Sequence, residues 1–465
     1  MKIKLLIVLG IVLCLFLASC KQSGQSSKTK AAPEAGLEMG FAVVDITGDS
    51  AVILDPLKAK AVVFKQGDIQ IALVECDIAG ISGEVSGQSR KEASLKTGIP
   101  YENICIAATH NHMGSLYKDI VPCVVKAIID AQAAVRSVKL KSALGRQFYI
   151  SFNRRYFMKD GSVVFNPMFL NPDIVRPVGP IDPEVNVVML YDAVDNAPVA
   201  SLTNFAIHAD IVKEYGSVYQ QKGAGSRNSV SADYPYWIEE SLRQDFGSKF
   251  NSIFFPGCCG NINHWDFSKP GPQSGHKTKS KEVGDSLSAS VRRALRAAND
   301  ETPLLAARTQ VIDVPLQTYT AEDLDWAKAF IGSGLRGKSE EPSERQQFLN
   351  GVKSRRIMWL DEQKQKGKVT YHLDVQVFRL SNNIAIVTLP GEMFVEHGLT
   401  IKNFSPFDNT FVVELANNTI SYVPNKTAFS QGGYEVENSR LAPGGGEMLA
   451  AAAIQMLKEL KNDAK

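Results

Sequence analysis

Four apolar runs of this sequence end, within a few residues, in side chains suited to binding a metal ion or activating water. The runs and the residues that follow them are Ile104 to Ala108 with His110 and His112, Ala200 to Ile207 with His208, Asn383 to Leu389 with Glu392, and Thr410 to Leu415 with Tyr422. In open α/β sheets, ligand sites form beyond the carboxyl ends of the strands. If the runs are strands, their terminal side chains are expected to meet at one site.

Two histidines and a carboxylate are typical of a zinc site that keeps one coordination position open for water. His110 and His112 are two positions apart, so on an extended segment they face the same side. The chain has seven histidines, and three of them are in this set. Two alternatives remain open at this point: His208 as a hydrogen-bonded core histidine, and Glu392 as a carboxylate at the start of a helix.

The elements that position these residues can be predicted from hydrophobic periodicity. The apolar runs have the length and composition of buried strands, and they end at Gly, Asn, Asp or Pro. Helical spacing predicts helices at Val121 to Val135, within Ser280 to Asn299, within Thr320 to Lys366, and from Gly446 to Lys461. We therefore predict an α/β fold with a mixed β-sheet core flanked by helices and a helical insertion at about residues 278–366.

The N-terminus has the pattern of an export signal. Lys2 and Lys4 precede an apolar run from Leu5 to Ala18, which is shorter than the roughly 20 residues that cross a bilayer. The stretch ending in Cys20 resembles the bacterial lipobox, which predicts a signal peptide at residues 1–19 and lipidation of Cys20. Ordinary secretory cleavage nearby is the alternative. Residues 20–36 are expected to form a flexible tether and residues 37–465 one catalytic domain.

Composition narrows the function classes further. Apolar residues make up 44% of the chain and charged residues 22%, as in a globular protein with a sizeable core. The 51 basic and 49 acidic residues give a net charge of +2 without long runs of one sign, so binding of nucleic acid is not expected. The cysteines have no zinc-finger spacing, and no disulfide framework is inferred.

Several segments resemble elements of the neutral/alkaline ceramidase family, in the same order along nearly the whole mature chain. They are Gly40 to Gly48 (its Asp-Ile-Thr-Gly start), Ala108 to Ser115 (Thr-His-Thr-His-Ser), Asn204 to His208 (its second zinc-histidine segment), Ser231 to Pro235 (Ser-Gly-Asp-Tyr-Pro) and Leu415 to Val423 (Leu-Ala-Asn-Asp-Tyr-Ser-Gly-Tyr-Val). Tyr434 and Glu435, twelve residues after Tyr422, match the spacing of its Tyr-Glu pair.

The resemblance implies a zinc ligand set and a catalytic set. The implied zinc ligands are His110, His208, Glu392 and Tyr422. His112 would lie beside the metal-bound water or the substrate carbonyl and move protons. Arg154 and Tyr434 would stabilise the oxyanion that forms from that carbonyl. A surface arginine and a core tyrosine remain the alternatives for Arg154 and Tyr434.

Two departures from the family pattern affect this interpretation. The family's Gly-Asp-Val-Ser-Pro-Asn loop is represented here by Gly260 to Trp265, with Asn263 in place of its active-site serine. An amide is no nucleophile, so Asn263 is expected to act only as a hydrogen-bond donor, and His264 and Trp265 change the shape of the pocket. No immunoglobulin-like domain, which usually follows in this family, is expected.

The sequence therefore predicts an exported, lipid-anchored, zinc-dependent amidohydrolase that cleaves an N-acyl amide such as an N-acylsphingosine. A small-molecule or lipid substrate, and a membrane reached through the lipid anchor, are the expected partners. The expected location is the bacterial cell envelope, and Lys21 after the lipidated cysteine favours the outer membrane. Two alternatives remain: an esterase or deacylase for an acylated glycan or other metabolite, and a lipoprotein that binds a ligand without catalysis.

Overall fold

The apolar runs of the sequence form strands, and most of these strands are covered on both faces. Ile104–Ala108, Ile384–Thr388 and Asn409–Val413 are buried at every position. Continuous apolar composition is what a strand needs when helices or a second sheet cover both of its faces. The predicted mixed α/β fold is confirmed.

The computed structural model describes residues 28–29, 36–49, 52–114, 117–212, 229–271, 276–337 and 343–463. The predicted signal peptide and Cys20 lie outside the described residues. Within the predicted tether, Lys28–Thr29 forms a two-residue strand.

The strands, in chain order, are β1 (Lys28–Thr29), β2 (Glu38–Asp45), β3 (Val52–Ile53), β4 (Lys58–Gln66), β5 (Ile69–Cys76), β6 (Ile104–Ala108), β7 (Arg136–Arg146), β8 (Phe152–Asn153), β9 (Arg155–Met158), β10 (Val163–Phe165), β11 (Ile174–Pro177), β12 (Glu184–Asp192), β13 (Pro198–Phe205), β14 (Ser229–Val230), β15 (Asn251–Pro256), β16 (Ile262–Asn263), β17 (Asn299–Glu301), β18 (Pro303–Pro315), β19 (Thr370–Ser381), β20 (Ile384–Thr388), β21 (Glu392–Met393), β22 (Asn409–Val413) and β23 (Tyr422–Val423). The α-helices are α1 (Gly83–Thr97), α2 (Ile120–Ala133), α3 (Tyr234–Phe246), α4 (His276–Leu295), α5 (Ala321–Gly332), α6 (Arg345–Gln365), α7 (Val395–Phe404), α8 (Lys426–Gln431), α9 (Tyr434–Glu437) and α10 (Gly445–Asn462).

Two sheets face each other at the centre of the fold. The larger sheet has the order β15-β13-β12-β7-β2-β4-β5-β6, with β17 paired to β7, and the smaller one has the order β1-β18-β19-β20-β22. Most neighbours are antiparallel, but the pairs β13–β15, β5–β6 and β20–β22 are parallel. Leu73 and Leu202 of the larger sheet belong to the same apolar core as Phe378 and Phe411 of the smaller one.

Helices cover the outer face of each sheet. Helices α1 and α2 pack on one half of the larger sheet, and α3 and α4 pack on the other half. Helices α7 and α10 cover the smaller sheet. Burial of an apolar side chain contributes about 1.5–3 kcal/mol, so these layers stabilise the strand ends that carry the polar residues.

The predicted helical insertion at about 278–366 is only partly helical. Helices α4, α5 and α6 lie in this span, but residues Pro303–Pro315 form β18, a long strand paired with β19 in the smaller sheet. The middle of this span is therefore part of the smaller sheet and not of an insertion. The α5–α6 hairpin follows β18, and α5 begins with a capping box between Thr320 and Asp323.

The remaining helix predictions are close to the observed bounds. Helix α2 and helix α10 each match a predicted helix to within two residues. No helix among the described residues combines the length and the apolar character needed to cross a membrane.

Candidate metal centre

Backbone hydrogen bonds bring three of the predicted strand ends together. The N–H of Asn417, after β22, donates to the carbonyl of Ile106 in β6 at 2.7 Å. The N–H of His112 donates to the carbonyl of Ala209 at 3.1 Å, which joins the loop after β6 to the loop after β13. The edge of the larger sheet and the end of the smaller sheet therefore share one site.

The fourth strand end, that of β20, is connected to the site by a tight turn at Gly391. Strands β21 and β23 form a parallel ladder in which Glu392 is paired with Tyr422. Gly391, directly before Glu392, has a φ of 76°. A Cβ at this position would lie 2.6 Å from Cγ1 of Ile420. Only glycine fits this turn. His110 also has a positive φ, of 65°, a strained conformation for a residue with a side chain and one that clusters at functional sites.

Four side-chain atoms that are able to bind a metal converge at this site. His110 Nε2 lies 3.4 Å from His112 Nε2 and 3.3 Å from Glu392 Oε2, and His208 Nε2 lies 3.4 Å from Glu392 Oε2. The candidate ligand nitrogens of the three histidines all lie within 4.8 Å of one another. His110, His208 and Glu392 are buried and His112 is exposed, so the cluster has a closed floor and an open side.

These separations fit a zinc ion. Ligands at about 2.0–2.1 Å from a tetrahedral zinc are separated from each other by about 3.3–3.4 Å. In addition, His110 Nδ1 lies 2.8 Å from the carbonyl of Ala79, which makes Nδ1 the donor and leaves the lone pair on Nε2. A backbone carbonyl is a common partner for the second nitrogen of a metal-binding histidine. The donor set of imidazole and carboxylate is one that zinc accepts.

The protonation states follow from burial and the neighbouring charges. Burial lowers the pKa of His110, but Glu392 and Glu414 outweigh this effect and raise that pKa to about 9. Burial and the charge of His110 lower the pKa of His208 to about 4. Burial would raise the pKa of Glu392, but the two histidines hold it well below its ordinary value. At neutral pH His110 therefore also carries a proton on Nε2, facing Glu392, and His208 is neutral. A metal ion that binds Nε2 of His110 would have to displace this proton.

Arg154 lies at the same site, and its guanidinium is hydrogen-bonded to Glu435. Its Nε donates to Oε1 of Glu435 at 2.7 Å, and Glu435 is fully buried. Its Nη1 lies 3.3 Å from His208 Nε2. Its Nη2 is buried without a hydrogen-bond partner among the described residues. Arg154 is 5% exposed, so the alternative of a surface arginine is wrong.

Tyr422 and Tyr434 form an aromatic wall beside the guanidinium. The Arg154 carbon Cζ lies 5.2 Å from the ring centre of Tyr422 and 5.8 Å from that of Tyr434. Burial raises the pKa of Tyr422 well above its ordinary value, so its hydroxyl is protonated at neutral pH. Phe165 and Phe348 stack against Tyr434 with centroid distances of 4.9 and 5.6 Å. Phe348 belongs to α6, so the α5–α6 hairpin contributes to this wall.

Asn263 has hydrogen bonds that support its own loop. Its Nδ2 donates to Oδ1 of Asn166 at 2.8 Å, and its Oδ1 accepts from the N–H of Trp265 at 2.9 Å. Strand β16, which contains Asn263, pairs with β8 directly before Arg154. The described contacts of this amide therefore hold the loop in place next to Arg154, and they do not include the histidine cluster.

Asp233, in the segment that resembles Ser-Gly-Asp-Tyr-Pro, fixes the loop after His208. Its Oδ2 accepts from the N–H groups of Ile211 and Val212 at 2.8 and 2.9 Å, and its Oδ1 accepts from the N–H of Tyr234 at the start of α3. This residue supports the site from outside it.

The sequence pattern indicates no role for two acidic residues near the site. Glu435 was noted only as part of a Tyr-Glu pair. Glu414 directly follows β22 within an apolar run, and its Oε1 and Oε2 accept from Sγ and N–H of Cys259 at 2.9 and 3.0 Å. Burial raises the pKa of Glu414 to about 8. An isolated carboxylate within an apolar run was the signal that could have identified it.

Comparison with known proteins gives matches only at the level of structure. No protein-family model and no curated protein sequence matches the chain. The solved structure of neutral ceramidase from Pseudomonas aeruginosa matches with a TM-score of 0.66 and 18% sequence identity, over 92% of this chain and 75% of that one. A ceramidase complexed with C2 matches with the same TM-score and 19% identity, over 92% of this chain and 76% of that one. The chain therefore has the fold of neutral ceramidase.

Proposed function

We propose that this protein is a zinc-dependent amidohydrolase that cleaves the amide bond of an N-acyl lipid resembling ceramide. The observation that carries the proposal is the spacing of His110, His208 and Glu392 next to a guanidinium with an unpaired, buried N–H group. The fold shared with neutral ceramidase supports the same substrate class.

His110, His208 and Glu392 are the residues that would hold the zinc, and Tyr422, paired with Glu392 in the β21–β23 ladder, would complete the set. A bound zinc would supply a Lewis acid that polarises a carbonyl and activates water at neutral pH. Because burial already orients the two imidazoles and the carboxylate, little reorganisation would be needed for binding.

Arg154 is proposed to stabilise the oxyanion. A cation aimed at the developing charge in a buried site is among the largest contributions to acyl-transfer catalysis. Nη1 of Arg154 now lies against His208 Nε2, a lone pair that a metal would take instead. Nη1 and the unpaired Nη2 would then both be free to donate to the substrate oxygen. Tyr434, stacked against Phe165 and Phe348, would donate a further hydrogen bond.

His112 is proposed to move protons. It is the exposed member of the cluster, and its Nε2 is 3.4 Å from the buried His110 Nε2. An imidazole can take a proton from water and deliver it to the leaving amine at neutral pH. No nucleophilic side chain is required in this scheme, in agreement with Asn263 at the position of the family serine.

A lipid substrate is compatible with attachment to a membrane. The lipobox-like sequence at Cys20 supports anchoring in the bacterial cell envelope, and we propose that the enzyme acts there on lipids of the adjoining membrane.

The test is fatty-acid release by the purified chain from two matched substrates: an N-acyl sphingoid base and a sugar that carries the same acyl chain as an ester. Release from the amide, lost on chelation and restored by zinc, is the expected result. Release from the ester alone, by folded and zinc-loaded protein, would contradict the proposal and favour a glycan deacylase.

A further inference from the structure

A second cavity lies beside the candidate metal centre, next to the loop that departs from the family pattern. It has a volume of about 490 Å³, within the range of small-molecule sites, and its aromatic lining comes from Tyr149, Phe152, Phe169 and Trp265. His264 also lines it. His264 and Trp265 stand where the family loop has other residues, so two of the residues that line this cavity depart from the family pattern.

Two segments connect the cavity with the metal centre. Phe152 is two residues before Arg154 in the chain, and an extended chain spans at most about 7 Å over two residues. His264 Nδ1 is 2.9 Å from Oδ1 of Asp210, which is two residues after His208. The cavity therefore lies close to the metal centre.

The aromatic side chains pack on one another, and Trp265 is 9% exposed. Trp265 and Phe169 meet edge to face at a centroid distance of 5.6 Å, and Trp265 and His264 are 4.3 Å apart. Tyr149 stands at the rim with 82% of its surface exposed. A ligand with a flat, uncharged C–H face would remove this ring from water and gain hydrophobic contact.

The cavity is lined by equal numbers of lysines and carboxylates. Lys269 Nζ lies 3.0 Å from Oδ2 of Asp266, and Lys279 Nζ lies 4.0 Å from Oε2 of Glu282. Two lysines and two carboxylates give no net charge, so neither a phosphate nor an ammonium group is favoured. The same side chains provide hydrogen-bond donors and acceptors close together, as a group with several hydroxyls requires.

We propose that this cavity binds a neutral sugar ring, with its C–H face against the aromatic rings and its hydroxyls on the two ion pairs. The inference rests on the proposed function and makes it more specific, because the N-acyl lipid cleaved at the metal centre then carries a sugar as its polar group.

Binding is tested first, without catalysis. The chelated full-length protein is titrated by calorimetry and ligand-observed NMR with methyl glucoside, methyl galactoside and cellobiose. Saturable binding is expected for at least one of them, weakened at least about fivefold by Tyr149→Ala and by Glu282→Gln. Phe148→Ala is the matched control, since Phe148 is the neighbouring aromatic residue, is 49% exposed, and is not part of the cavity lining.

Unchanged affinity in both Tyr149→Ala and Glu282→Gln would overturn the proposal, as would the absence of binding for all three sugars. An equal loss in Phe148→Ala would also overturn it.

Kinetics then connect the cavity to the reaction. An N-acyl sphingoid base with glucose on its primary hydroxyl is compared with the same lipid without glucose. The glycosylated lipid is expected to have a KM about tenfold lower, and Tyr149→Ala is expected to remove this difference without changing KM for the other lipid. A preference that Tyr149→Ala leaves intact would overturn the proposal. If neither lipid is cleaved, the proposed function is wrong, and the binding measurement alone decides on the cavity.

Discussion

Arg154 and Glu435 are 281 positions apart in the chain, yet the arginine Nε donates to the carboxylate at 2.7 Å inside the protein. The Nη1 edge of the guanidinium lies against His208 in the histidine cluster. A buried charge that is hydrogen-bonded on one side keeps its orientation on the other, which is the condition for stabilising an oxyanion.

We expect Glu435→Gln to lower kcat by about 10- to 100-fold with KM nearly unchanged, because the transition state depends on the orientation of Arg154 more than the bound substrate does. Steady-state kinetics on the N-acyl substrate measure this. Glu437→Gln is the matched control, since Glu437 lies on the same short helix and is paired with Arg356.

Chemical rescue distinguishes a role of Glu435 in positioning Arg154 from a purely structural role. Added guanidinium should restore part of the activity of Arg154→Ala and much less of the double variant with Glu435→Gln. Equal rescue in the two backgrounds would show that Glu435 does not position the cation.

The roles of His112 and Tyr422 are separated by metal content. His112→Ala is expected to keep zinc and lose about 100-fold or more in kcat, because a general acid-base group contributes about 10²–10⁴. Tyr422→Phe is expected to weaken zinc binding. Titration with a competing chelator measures the zinc affinity of both variants, and steady-state kinetics measure kcat. The variant His372→Ala, at an exposed histidine, is the control. Loss of zinc in His112→Ala would instead make His112 a ligand, as the grouping of the three imidazoles permits.

Asn263 is expected to be a loop-supporting residue. Asn263→Ser retains an acceptor for the Trp265 N–H but loses the bond to Asn166, so the free energy of unfolding should fall by about 1 kcal/mol. Activity should stay within about tenfold of the wild type. Denaturant unfolding and kinetics check the two parts, and a loss of activity beyond about 100-fold at unchanged stability would show a direct catalytic role.

Prediction from the sequence succeeded where the signal was local. An apolar run followed by a polar ligand, as at β6 with His110, identifies both the strand and the residue after it. The ion pair of Arg154 and Glu435 has no such signal, because it depends on how segments far apart in the chain pack. Phe348 was missed for the same reason: it reaches Tyr434 from α6.

Strand β18 was assigned to a helical insertion because helical patterns lie on both sides of it. Its burial alternates weakly, since four consecutive residues of its N-terminal half, Leu305 to Arg308, are buried, while the residues after them are mostly half-buried or exposed. The strand therefore has no clear hydrophobic periodicity, and only its pairing with β19 identifies it as a strand.

Glu414 gives a prediction for the pH dependence of stability in the chelated protein. Burial raises its pKa to about 8 from an ordinary value of 4.5, so the folded state prefers the protonated form. Its contribution to stability is full below about pH 4.5 and is lost as the pH rises through 8. The difference in free energy of unfolding between wild type and Glu414→Gln should therefore shift against the wild type by up to about 1.4 kcal/mol per pH unit in this interval.

Chemical denaturation from pH 5 to 8 measures this shift, with Glu362→Gln on the exposed side of α6 as control. Parallel stability curves for wild type and Glu414→Gln would contradict the prediction.

The most direct test of the account is zinc content and amide hydrolysis measured on the same preparations of wild type, His110→Ala, His208→Ala and the control His372→Ala. We predict one zinc per chain in wild type and control, with loss of metal and of fatty-acid release together on chelation and together in both site variants. Full amide hydrolysis by folded, metal-free protein, or by either site variant, would contradict a catalytic metal at this centre.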